Sequence, residues 1–94
     1  MDRTESDILR GERARQLLEE PLLVEAFALI EQEYTKAWQD SPARDNEARE
    51  LLYLSLKNLR KVQGHLLQVM DSGKMAKATL AQRTGATLRR AFSA

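Results

Sequence analysis

Cysteine is missing from this chain of 94 residues, which excludes a disulfide scaffold, a thiol nucleophile and any cysteine-ligated metal. Glycine and proline are scarce, at 4 and 2, so few turns and long elements are expected. β-Branched residues are sparse and no alternating apolar–polar run persists, which argues against a sheet. Aromatic residues are only 5%, leaving a core to Leu, Ala, Val and Ile. No apolar run nears the roughly 20 residues of a membrane span. The opening "MDRTESDILRGER" also lacks the apolar stretch of a secretory signal. A cytoplasmic protein with no membrane association is expected.

What is present suits one small helical domain, since chains below about 100 residues rarely hold two cores. Hydrophobic residues reach 43% and charged residues 31%. The charge is unevenly placed. Residues 1–71 hold 10 Lys/Arg against 14 Asp/Glu, a balance of −4, whereas residues 72–94 hold five cations and no acid. An acidic body with a basic tail points to contacts with a partner.

Helical spacing organises the chain into an N-terminal helix within residues 1–20, a helical hairpin over 21–72 and a basic C-terminal helix or tail over 73–94. The first helix, from about Glu5 to Glu19, carries a thin apolar side of Ile8, Gly11, Ala14 and Leu18, with Leu9 and Leu17 beside it. Its small residues would let a neighbour approach closely, although Gly11 costs roughly 1 kcal/mol against alanine. Pro21 suits a first helical position, and the second helix runs to about residue 39. Leu23, Phe27, Ile30, Tyr34 and Trp38 form its apolar stripe.

"DSPARD" interrupts the pattern: Ser41 before Pro42 disfavours helix, and Asp45 is a plausible N-cap with Glu47 in the next first turn. The third helix is expected over 46–71, with Leu52, Leu59 and Leu66, and Leu56, Val62 and Val69, repeating near seven residues. Leu52, Leu59, Val62 and Leu66 join the helix-two stripe as the expected core. Gly73 in "DSGK" fits the left-handed residue that ends a helix. Beyond it, Ala81, Leu88 and Phe92 share one side of a fourth helix weakened by Gly85, Thr84 and Thr87. The fold class is all-α, a small bundle built on an antiparallel hairpin of helices two and three.

Candidate sites are few. His65 has no acid one helical turn away, as Lys61 and Val69 occupy those positions, so neither a catalytic base nor a metal site is indicated. Asp40, Asp45, Glu47 and Glu50 could form a carboxylate or Mg²⁺ site, but mixed charge at a helix start more often means caps and ion pairs. Tyr34 and Trp38 could stack on a base, yet they continue a core stripe. "DSGK" lacks the glycine and strand of a phosphate loop. No catalytic arrangement emerges, so the protein is expected to be no enzyme and to need no cofactor or metal. Lys74, Lys77, Arg83, Arg89 and Arg90 could instead contact a phosphate backbone or the acidic face of a neighbouring subunit, where Glu25, Glu31 and Glu33 lie. Arg44, Asp45, Arg49 and Glu50 form a second candidate partner surface.

The run "LLEEPLLVEAFALIEQEYTKAWQDSPARDNEARELLYLSLKNLRKVQGHLLQVMDSGKMA" resembles a family of small helical proteins encoded in tailed-phage and prophage genomes. Its matches are Pro21, Leu22, Ala26, Phe27, Tyr34, Trp38, Arg44, Asp45, Arg49, Glu50, Gly64, His65, Leu66, Gly73 and Lys74, within about 60 of the 94 residues. The resemblance implies a phage origin, action in the host cytoplasm or on the virion, and a role in assembly, packaging or interference with the host. The leading expectation is an oligomeric virion-assembly or DNA-packaging component, small-terminase-like or head-associated, touching DNA or a phage structural protein. The alternative is a small inhibitor of a host defence or replication protein.

Overall fold

Helix starts in this chain are fixed by acceptors placed just ahead of them. A computed structural model describes residues 2–92, and its three elements are all helical: α1 (Arg3–Glu19), α2 (Pro21–Asp40) and α3 (Asn46–Phe92). Asp2 caps α1, its carboxylate accepting from the Glu5 backbone N–H at 2.8 Å. Glu20 is the one residue between α1 and α2; its backbone N–H donates to Leu17 O at 3.2 Å, while its carboxylate accepts from Leu22 N–H at 3.4 Å. Pro21 opens α2, where a missing donor costs nothing. Asp45 accepts from Ala48 N–H at 3.1 Å and so caps α3.

α3 dominates the molecule. Its 47 residues span about 70 Å at 1.5 Å per residue, and the whole chain measures 76 × 25 × 21 Å. Two shorter helices lie on this rod. Trp38 meets Arg49, and Glu31 meets Arg60, so contacts step backward along α2 as they step forward along α3. The intervening "SPARD" reverses the chain, with Asp45 N–H donating to Pro42 O at 3.0 Å.

α1 makes the closest approach. A Cβ built on Gly11 would stand 2.6 Å from the Gly73 Cα, and one on Gly73 would stand 2.7 Å from the Gly11 Cα and 2.9 Å from the Asp7 carbonyl oxygen. Two backbones touch there, which only glycine permits. Ala14 is buried beside the contact at 3% exposure, as its small side chain in the α1 stripe suggested.

Three expectations are corrected. The third helix does not stop near residue 71, because Gly73 keeps a helical backbone and no described glycine has a positive φ. Gly73 is there for its missing side chain, not for left-handed freedom. The basic segment is therefore no separate helix but the far end of α3; its residues 93 and 94 lie outside the described ones. The helix runs on through Thr84, Gly85 and Thr87, the residues expected to weaken it, and the Thr84 and Thr87 hydroxyls donate to the carbonyls four residues back, at 3.0 and 2.9 Å.

The core expectation also changes. Leu23, Phe27, Tyr34, Leu52, Leu59 and Leu66 are half-buried, and Ile30, Trp38 and Val62 are exposed. A rod with two helices on one flank has no interior to offer these side chains. Ala14 is the one buried hydrophobic residue among those described.

Alanine at Gly73 or Gly11 should destabilise the chain by about 1–3 kcal/mol, the usual cost of overpacking, despite alanine's better helix propensity. Gly64→Ala, where an added Cβ meets nothing within 4 Å, should stabilise by up to roughly 1 kcal/mol. Urea unfolding of both variants at one protein concentration gives the comparison.

Candidate interaction surfaces

The turn between α2 and α3 holds the densest polar contacts. The Arg49 guanidinium lies 4.8 Å from the centre of the Trp38 ring and donates to Ser41 Oγ at 3.2 Å. Ser41 in turn donates its hydroxyl to the Trp38 carbonyl at 2.6 Å. Arg49, Ser41 and Trp38 thus tie the end of α2 to the start of α3. Within the proposed partner surface, Asp45 is occupied as a cap and Arg49 as this clamp, while Arg44 and Glu50 are exposed. Chemistry is not required of the cluster. Its residue types are accounted for by closing the turn.

The five tail cations fall into two groups. Lys74 and Lys77 line a depression at the α1–α3 crossing together with Ile8, Glu12, Arg15 and Met70. Arg15 binds Glu12 on one side and Glu19 on the other, the latter at 2.6 Å. That hydrogen bond to Arg15, together with the charges of Arg15 and Lys77, holds the Glu12 carboxyl below its ordinary value of 4.5. The Arg15 guanidinium is pushed above its own by Glu12 first and then Glu19. Arg83, Arg89 and Arg90 lie farther along α3. From Lys77 to Phe92 every residue is exposed except half-buried Gly85, and Arg90 donates to Thr87 Oγ1 at 3.4 Å.

His65 is exposed on α3 and shares a shallow depression with Arg3, Asp7, Arg10 and Gln68. Asp7 thus brings a carboxylate from α1 into the same depression as His65. Spacing within α3 could not reveal this, because the neighbour comes from the other end of the chain. No group of three His, Cys, Asp or Glu side chains able to hold a metal occurs among the described residues, and no described helix is long and apolar enough to cross a membrane.

Apolar surface is abundant. Between α2 and α3 an open groove of about 420 Å³ is lined by Leu18, Leu23, Val24, Phe27, Ala28 and Leu67, with Glu31 at its edge. On α3, Leu51, Leu54 and Val62 are exposed, and at the far end so are Leu88 and Phe92, the latter at 86%.

Comparison with known proteins adds no constraint: no family model, no curated protein and no solved structure matches the chain.

Two predictions test these local readings. Trp38 is the single tryptophan, so Arg49→Ala should change its emission while lowering stability by about 0.5–1 kcal/mol, the scale of an exposed cation–π contact. Unchanged fluorescence would mean that the clamp is not formed. Because the folded Glu12 carboxyl titrates below 4.5, its contribution to stability is complete above that value and lost as pH falls through the lowered one. Glu12→Gln should therefore flatten the acid limb of the melting temperature against pH, compared with the parent protein.

Proposed function

We propose that this protein is a non-enzymatic assembly component that works by self-association, its basic α3 end contacting DNA or a neighbouring subunit. The observation that carries this reading is exposed area. One chain of 10.7 kDa exposes 7695 Å², whereas a compact monomer of that mass would expose roughly 5,500 Å². The radius of gyration is 20.9 Å, against about 12 Å for a compact chain of this length. Removed from each of two chains, the excess of roughly 2,200 Å² would total about 4,400 Å², in the range of obligate interfaces. Of the apolar side chains that sequence periodicity selects as core, Ile30, Trp38 and Val62 are exposed.

Catalysis has less support. The described cavities are open grooves. The resemblance of the sequence to small phage-encoded helical proteins favours virion construction or DNA packaging as the setting of that role. A second reading, a small inhibitor of a host protein, draws on the exposed Leu51, Leu54 and Val62 stretch of α3, which could cover a partner instead of a second copy.

Light scattering of the full-length protein at low and high salt tests the proposal. A closed assembly of two or more chains at micromolar concentration is the expected result; a salt-insensitive monomer would overturn it and leave the inhibitor. If the α3 end binds DNA, Arg89→Glu with Arg90→Glu should abolish binding. Retained binding with an unchanged salt slope removes that segment from the mechanism.

A further inference from the structure

We infer that the basic end of α3, from residue 78 to Phe92, docks along the α2 side of a second copy of this chain, in the groove between α2 and α3. The inference rests on the self-associating reading above and names the surfaces that perform it.

Three observations converge on that occupant. The first is charge. Residues 78–92 carry Arg83, Arg89 and Arg90 with no acid, a balance of +3, whereas α2 carries Glu25, Glu31, Glu33 and Asp40 against Lys36 alone, a balance of −3. Opposed surfaces of this kind steer two copies into antiparallel register and disfavour like ends meeting. The second is shape. Ala78, Ala81, Leu88 and Phe92 fall on one side of the α3 end at helical spacing and are all exposed. The groove offers a matching apolar floor of Leu18, Val24, Phe27, Ala28 and Leu67 with an acidic edge at Glu31.

The third observation decides between the same chain and another. α2 lies beside the first half of α3, through Trp38–Arg49 and Glu31–Arg60, and α3 runs unbroken to Phe92. Residue 85 is thus about 27 Å farther along the axis than Leu67. An unbroken helix cannot fold back on its own α2, so the groove is filled by a neighbour's α3 end. The fifteen residues of that end span about 22 Å, within the roughly 30 Å of α2. Two rods laid side by side in opposite directions satisfy both grooves at once, an isologous pairing whose centre falls close to Gly73.

The test places a photoreactive p-benzoylphenylalanine at Leu88 in the full-length protein, mixed with heavy-nitrogen-labelled parent protein and irradiated. Expected adducts join the α3 end to α2, within residues 23–31, in mixed light–heavy peptide pairs. Mass spectrometry reads both the position and the isotope. An assembly that forms by light scattering but gives adducts on the Leu51–Val62 stretch, or none, overturns the inference while leaving the assembly reading intact. A monomer overturns both. Adducts that vanish on adding duplex DNA at low salt, with the assembly retained, would make DNA the occupant and also overturn it. As a second arm, Glu25→Lys with Glu31→Lys should weaken the assembly at least tenfold, and Arg83→Glu with Arg90→Glu in the mixed partner should restore it; absence of rescue counts against the pairing.

Discussion

A backbone-to-backbone contact between Gly11 and Gly73 organises everything else in this molecule. It brings α1 onto α3 at a distance no larger residue allows, and it buries Ala14, the sole buried hydrophobic residue among those described. Because dispersion falls off steeply with separation, a close backbone approach over a few residues can substitute for side-chain interdigitation. α1 then sets the Glu12–Arg15–Glu19 network against Lys77 and places Asp7 near His65. The polar neighbourhood of the middle of α3 is a consequence of that single crossing.

The rest of the surface follows from the length of α3. A rod of 47 residues has far more perimeter than two helices of 17 and 20 residues can cover. Its Leu/Val positions are therefore patterned like a core without having one in a single chain.

Much of this architecture was readable in the sequence because it is local. Pro21 and Asp45 mark helix starts by backbone chemistry confined to a few residues, and the Leu23–Trp38 spacing marks one face of α2. The role of Gly73 was not readable. A glycine after "DS" carries the same local signal whether it closes a helix or admits a neighbouring backbone, and only the distant Gly11 decides between them. The burial of Leu52, Val62 and their companions was overestimated for a related reason: periodicity tells which residues share a face, but not whether the same chain covers it. The Asp7–His65 neighbourhood was hidden because it joins opposite ends of the sequence.

The continuity of α3 has an effect on phase. In an unbroken helix each residue turns the following ones by about 100°, so the face that receives α2 and the face at Arg83–Phe92 are locked at a fixed angle. One residue inserted between Ala78 and Arg83, beyond the crossing with α1, would swing the far end a quarter turn or more away from its present direction, without disturbing the contacts that α1 and α2 make with the rest of α3. Seven inserted residues would return it to within about 20° and simply lengthen the rod by roughly 10 Å. The helix therefore acts as a drive shaft, and the changes of length it tolerates come in whole heptads.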